Sequence, residues 1–205
     1  YEIIESHFRG SELSGKKILI SAGPTQEALD PVRFISNHSS GKMGYALAKA
    51  AWYMGAEVSL VSGPTQLNPP KGVKFTGVTS AQDMFEAVTA EAADQDCIIM
   101  AAAVADYTPL TKAEQKIKKS GDDMQIPLKR TTDILKSLGE KKPEGQILVG
   151  FAMETENELD NAQKKLFKKK MDFVVLNSLR DKGAGFKHDT NKVTIMDQAG
   201  NVEAL

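Results

Sequence analysis

Cysteine is nearly absent. The chain of 205 residues holds one, Cys97. That excludes an internal disulfide framework and a cysteine-rich zinc site, and it fits a reducing compartment. A basic excess is missing too. Lys and Arg number 26 against 27 Asp and Glu, for a formal net charge of -1. Nucleic-acid binders concentrate positive charge, so no nucleic-acid partner is expected. No apolar run approaches the ~20 residues that a membrane span needs, so no membrane association is expected. The opening Tyr1-Glu-Ile-Ile-Glu-Ser-His-Phe8 lacks the charged-then-apolar order of a signal peptide. These absences together place the expected location in the cytoplasm. The three histidines, His7, His38 and His188, show no metal-ligand spacing. No Ser-His-Asp set can be assembled from the order of residues.

What is present is ordinary globular material: 41% hydrophobic and 26% charged residues. That is enough apolar surface for a full core, and the length suits one large domain. There is no internal repeat, low-complexity stretch or splitting linker. Residues 1–14 read as a linker that continues the tail of a helix from an upstream domain. Residues 15–205 read as one nucleotide-binding domain. Both ends look cut, so the chain is expected to be a piece of a longer protein.

Apolar runs alternate with helical patterns. Lys17–Ala22, Glu57–Val61, Val73–Val78, Asp96–Ala103, Gln146–Ala152 and Asp172–Asn177 read as strands. Met43–Met54 reads as a helix with Ala46, Leu47, Ala50, Ala51 and Met54 on its inner face. Ala81–Ala93 reads as a helix with Ser80 as N-cap and Met84, Phe85 and Val88 inward. Ile134–Leu138 belongs to a helix capped by Thr131 or Thr132, and Glu156–Lys170 to another. Lys192–Asp197 and Val202–Leu205 flank a turn and read as a hairpin. Continuous apolar strands between helices define an α/β fold: a Rossmann-like three-layer α/β/α arrangement around a mostly parallel sheet. Lys112–Lys119 and Met124–Leu128 alternate about a Ser120-Gly-Asp-Asp123 turn, and read as an added hairpin arm.

In such a sheet the ligand lies outside the carboxyl ends of the strands. After the first strand comes a long loop, then Ser39-Ser40-Gly41-Lys-Met-Gly44 at a helix start. Glycines and a helix N-terminus favour an anion there. It is not a Walker A loop, because Ser36 replaces the first glycine and Met43 the Ser/Thr. The dinucleotide fingerprint is also incomplete, and the second strand ends in Ser62-Gly63 with no acidic residue for a ribose. Arg33 has a fork suited to a carboxylate or phosphate, and Asn37 an amide suited to an oxyanion. A surface arginine and a turn asparagine would look the same. Ala101-Ala102-Ala103 leaves room for something flat against the backbone, and Asp106 follows at the strand end. The lysines of 112–119 and of 164–170 read equally well as solvated faces.

Six segments taken together resemble phosphopantothenoylcysteine synthetase, the synthetase half of the bacterial bifunctional coenzyme A biosynthesis flavoprotein. They are Gly23-Pro-Thr-Gln-Glu, Asp30-Pro-Val-Arg-Phe-Ile-Ser-Asn37, Ser39-Ser-Gly-Lys-Met-Gly44, Ala102-Ala-Val-Ala-Asp-Tyr107, Lys116-Ile-Lys-Lys119 and Val149-Gly-Phe-Ala-Met-Glu-Thr155. The resemblance implies ligation of 4'-phosphopantothenate to cysteine through an acyl-cytidylate, with CTP as co-substrate and Mg2+. It implies catalytic roles for Asn37 and Lys116. It implies nucleotide contacts from Ala101, Ala102, Asp106, Lys116, Lys129, Arg130, Thr131, Thr132, Phe151, Lys165 and Lys169, with Asp106 on the ribose or metal side. Phosphopantothenate would meet Arg33, Asn37, Ser39, Ser40, Gly41, Gly44 and Ala103. The same resemblance implies a homodimer and, in a longer chain, fusion to a flavin decarboxylase domain. No FMN is expected on the present chain. Two other readings stand beside it: an NAD(P)-binding reductase on the same fold, and a non-catalytic nucleotide-binding module.

Overall fold

Ile18, Ile20 and Ala22 face one core cluster and Leu19 faces the other. Both faces of this first strand are therefore covered, which is why its sequence is apolar throughout rather than alternating. The structure is a computed structural model. It describes residues 10–119, 121, 123–154, 156–178 and 192–205. The expected helical tail at the start lies outside the described residues, as do His7 and His188.

In chain order the elements are β1 (Lys17–Ala22), β2 (Gln26–Ala28), β3 (Phe34–Ser36), α1 (Lys42–Tyr53), β4 (Glu57–Ser62) and β5 (Lys74–Gly77). Then come α2 (Ala81–Glu91), β6 (Cys97–Met100), β7 (Tyr107–Pro109), β8 (Leu128–Arg130), α3 (Ile134–Lys141) and β9 (Ile147–Glu154). The chain continues through α4 (Glu158–Lys168), β10 (Phe173–Ser178), β11 (Val193–Asp197) and β12 (Val202–Ala204). The main sheet has 8 strands in the order β12-β11-β10-β9-β6-β1-β4-β5. From β5 to β10 all neighbours are parallel; only β11 runs against them, and β12, antiparallel to β11, returns to the common direction. This is the expected three-layer α/β fold. Tyr45, Ala48 and Ala51 of α1 pack on one face, and Met84, Val88, Ile134, Leu138, Ala162 and Leu166 of the other helices on the opposite face.

Strand order reverses between β1 and β6, because β4 and β5 follow β1 to one side while β6, β9 and β10 build the other. Connections leaving the two strands part there, and a crevice opens above their carboxyl ends.

Several local expectations need correction. The inner face of α1 is Gly44, Tyr45, Ala48 and Ala51; Ala46, Ala50 and Met54 are exposed. Small size decides this. A Cβ on Gly44 would stand 2.5 Å from Ala22 Cβ and 3.0 Å from the Ser21 carbonyl oxygen, so the helix sits too close to β1 for any larger residue there. The N-cap of α3 is Asp133, whose carboxylate accepts from the Lys136 N–H at 3.0 Å, and not a threonine. The Thr131 hydroxyl is used elsewhere, donating to the Ala105 carbonyl at 2.6 Å. The arm pairs nearer its base than expected: Tyr107–Pro109 with Leu128–Arg130. Among the described residues Lys112–Lys119 forms no strand. Its backbone bonds to the 29–33 turn instead. Ser80 does cap α2, with Asp83 completing a capping box.

Candidate functional site

The segment leaving β6 is stitched to the segment leaving β1. Pro24 and Ala103 form a parallel bridge. The Ala103 N–H donates to the Gly23 carbonyl at 2.9 Å, and the Thr25 N–H to the Ala103 carbonyl at 3.2 Å. Two wholly buried hydroxyls fix the flanks. Ser21 Oγ accepts from the Ala102 N–H at 3.1 Å, and Thr25 Oγ1 from the Ala105 N–H at 3.0 Å. The alanine run therefore holds its place through its backbone, and its small side chains leave the space above it open. Asn37 joins this frame, its Nδ2 donating to the Ala103 carbonyl at 3.1 Å.

Beside the alanines lies a cavity of about 440 Å³. Ala102, Asp106, Arg130, Thr131, Thr132, Phe151 and Lys169, all expected at a nucleotide, line it. They come from four stretches of chain. Thr131 docks two of them, bonding to Ala105 through its hydroxyl and to the Asp106 carbonyl through its N–H at 3.0 Å. Asp133, Ile134 and Leu135, at the start of α3, also face the cavity, so peptide N–H groups and the positive end of the helix dipole point towards it. Asp133 sets a negative charge there, and Lys169 Nζ pairs with it at 3.1 Å.

Lys129 lies in β8 opposite Thr108, exposed, and does not line the cavity. Neither do Ala101, Lys116 and Lys165. Lys165 is inside α4, and its carbonyl accepts from the Lys169 N–H at 3.0 Å. Lys116 sits exposed on the arm. A larger cavity, about 560 Å³, lies on the outer face of α1 against Leu67–Lys71. It holds none of the expected site residues. We place the site at the smaller one, because that one stands where the strand order reverses.

Arg33 is engaged within its own loop. Its Nε and Nη2 both reach Asp30 Oδ2, at 3.0 and 2.5 Å. Asp30 is wholly enclosed. The Arg33 guanidinium, helped by the N–H groups of Val32, Ile117 and Arg33, holds its carboxyl well below the usual carboxylate range, against the opposing effect of burial. In the Ser39–Gly44 segment, Gly41 caps α1 at φ +80°, with no side-chain cap, and Ser39 Oγ accepts from its N–H at 3.3 Å. A Cβ on Gly41 would meet Thr65 Cγ2 at 2.7 Å. Both glycines thus have packing reasons of their own. Ser40 is half-buried beside them.

Among the described residues no group of three His, Cys, Asp or Glu could hold a metal. Asp106 and Asp133 are the carboxylates of the cavity. Mg2+ is usually held by one or two carboxylates and substrate phosphates rather than a full protein cage, so Asp106 fits a metal that arrives on a nucleotide, Asp133 being taken by Lys169 and the α3 cap. Burial, and then Asp172 and Asp96, push the Cys97 thiol up to about 11. Among the described residues, no helix is long and apolar enough to cross a membrane.

Sequence reasoning missed Ser21, Thr25, Asp30 and Asp133. The first two look like strand-end filler. Asp30 carried one signal, the Asp-Pro-x-Arg order of a turn whose carboxylate accepts from backbone two and three residues on.

These features define a Rossmann-like α/β domain with its ligand cavity at the switch point of the sheet. Residues 13–205 match the family described as DNA/pantothenate metabolism flavoprotein C-terminal domain, and the chain belongs to that family. It is 52% identical over 192 residues (93% of this chain, 54% of the relative) to a cysteine/cysteine sulfinic acid decarboxylase of an unknown prokaryotic organism. It is 51% identical over 208 residues (100% of this chain, 51% of the relative) to the coenzyme A biosynthesis bifunctional protein CoaBC of Bacillus subtilis (strain 168). A crystal structure of the C-terminal domain of a CoaBC protein superposes with TM-score 0.81 at 48% identity, covering 96% of this chain and 88% of that one. The chain spans about half the length of the curated relatives it matches.

Proposed function

We propose that this domain ligates 4'-phosphopantothenate to cysteine, using CTP, as a step of coenzyme A biosynthesis. Membership of the family and about 50% identity to a bifunctional coenzyme A biosynthesis protein support the reading. The observation that carries it is the gathering of Ala102, Asp106, Arg130, Thr131, Thr132, Phe151 and Lys169 around one cavity, with Asn37 bonded to the adjoining Ala103.

A carboxylate is a poor acylating agent, so the reaction divides in two. A substrate carboxylate oxygen attacks the α-phosphorus of CTP, and pyrophosphate leaves. The cysteine amine then attacks the acyl carbon of the acyl-cytidylate, loses a proton, and CMP leaves as the amide forms. Charge develops on phosphate oxygens first and on the acyl oxygen second. Lys169, the α3 N-terminus and the arm lysine Lys116 oppose the first. The Asn37 amide opposes the second. Asp106 would hold Mg2+, which would supply charge neutralisation for the leaving pyrophosphate.

The doubled length of the relatives supports fusion to a second domain in a longer chain. A homodimer is supported by the exposed apolar side chains of the two small ribbons, Val32, Phe34, Tyr107, Leu110 and Leu128. A reductase is not favoured, since β4 ends at Ser62 with no acidic selector after it.

The test is pyrophosphate release by the purified chain with phosphopantothenate, Mg2+ and either CTP or ATP, with and without cysteine. Phosphopantothenate-dependent release with CTP, and amide product on adding cysteine, is the expected result. Release with ATP alone would overturn the choice of nucleotide. CTP binding without release would favour a binding module. Carbon dioxide from cysteine or cysteine sulfinate would favour the decarboxylase activity named for one relative.

A further inference from the structure

Five donors converge on the enclosed Asp30 carboxylate. Oδ1 accepts from the N–H groups of Val32 and Arg33, each at 2.8 Å. Oδ2 accepts from Arg33 Nε and Nη2, and from the Ile117 N–H at 3.1 Å. Four of these belong to the same turn. The fifth comes from 87 residues further along the chain. Arg33 Nη2 also donates to the Ile117 carbonyl at 2.9 Å. Both polar groups of this one residue of the arm are therefore held, one by the carboxylate and one by the guanidinium. A further bond, from the Ala113 N–H to the Leu29 carbonyl at 2.9 Å, fastens the start of the arm to the same turn.

We propose that Asp30 and Arg33 form a clamp that positions the arm carrying Lys116, making Asp30 a positioning residue for the lysine that meets the triphosphate. This rests on the ligase reading above. A solvated arm has no need of a buried carboxylate, because water satisfies its backbone. A buried carboxylate, in contrast, needs its full set of donors, and a missing one is costly. Docking of Ile117 completes that set. The neighbouring Lys116 then departs from a fixed backbone. The turn that makes the clamp leads directly into β3 and Asn37, so one carboxylate sets the arm relative to both groups.

The test uses three variants of the purified chain. Asp30→Asn keeps the shape and removes the charge. Ile117→Pro removes the donor on the arm and leaves the four bonds of the turn in place, so it serves if the first variant fails to fold; because proline also restricts Lys116, Ala113→Pro, which removes the bond to Leu29 instead, is measured beside it. Two readouts need no activity: trypsin cleavage after Lys118, and hydrogen exchange of arm amides against those of β1 and β6. Both should rise about tenfold or more in the arm and stay unchanged in the sheet. The third readout is pyrophosphate release against CTP concentration, where KM should rise about tenfold and exceed the fall in kcat. Unchanged cleavage and exchange in folded variants would overturn the clamp. A loosened arm with an unchanged KM would overturn its service to Lys116. If the unmodified chain releases no pyrophosphate, the ligase reading fails, and cleavage and exchange alone decide the clamp.

Discussion

Asn37 and Ala103 are joined by one hydrogen bond, amide nitrogen to carbonyl oxygen, 3.1 Å long. It ties the end of β3 to the exit of β6 across the switch point of the sheet. An asparagine amide nitrogen carries two protons, and this bond uses one. The side chain can therefore be held by the fold and present a donor to a ligand at the same time.

Asn37→Asp replaces that donor by an acceptor and sets two acceptors against each other at the Ala103 carbonyl. Amide formation is expected to fall about 100-fold, the usual cost of one lost oxyanion donor, while pyrophosphate release continues. Mass spectrometry of quenched reactions should then show accumulated acyl-cytidylate. Amide made at the normal rate would remove Asn37 from the second step.

Lys169 is the cation facing Asp133 inside the cavity, at 3.1 Å. Lys169→Met leaves the Asp133 carboxylate without its lysine where the ligase reading puts the triphosphate, with Arg130 as the remaining cation of the lining. CTP affinity, read by titration calorimetry, should weaken about tenfold, equivalent to about 1.4 kcal/mol. Asp133→Asn in the same background should recover part of the loss. Equal affinity in Lys169→Met would move the triphosphate elsewhere.

Gly44→Ala forces a methyl group onto Ala22 and the Ser21 carbonyl, at 2.5 and 3.0 Å. The expected cost is about 1–3 kcal/mol from overpacking, seen as a Tm lowered by several degrees. Gly77→Ala is the control, since its nearest contact is Phe75 Cε1 at 3.5 Å. A melting curve that separates the two variants confirms the close approach of α1 to β1; coincident curves refute it.

Cys97 should resist alkylation. With the thiol pushed up from 9.0 to about 11, the thiolate fraction at pH 8 is about 100-fold lower than in the unfolded chain. Iodoacetamide should label it at that reduced rate until denaturant is added. The folded state binds this proton more tightly, so the thiol's contribution to stability is complete below about pH 9 and is lost as pH rises towards about 11. Denaturant midpoints measured at pH 8 and pH 10.5 should differ in that direction, and Cys97→Ala should abolish this part of the difference.

The strands were legible because burial on both faces writes itself as an apolar run. Lys17–Ala22 appears with the bounds its residues suggest. The face of α1 was not legible, because a glycine and alanines set it and hydropathy ranks them low. The ribbons β2–β3 and β7–β8 were missed or displaced because 3 residues per strand are too few to show alternation. Much of the cavity lining was readable through family resemblance, since Ala102–Tyr107 follows β6 and Thr131–Thr132 precedes α3. The engagement of Arg33 with Asp30 was not, although the two are 3 residues apart. An arginine near a glycine-rich helix start reads as a ligand contact, and the distant peptide that completes the cluster, Ile117, leaves no mark in the local sequence.

The first strand of the sheet to be made, β1, lies inside it, between β6 and β4. Ile18 pairs with Val58 on one side and with Cys97 on the other. During synthesis its second edge stays unpaired until β6, Cys97–Met100, has been made. A ribbon as apolar as Lys17–Ala22 is then a sticky surface on the ribosome. Assembly of this domain should therefore be sensitive to translation rate and to chaperones in the interval between the exit of β4 and the arrival of β6.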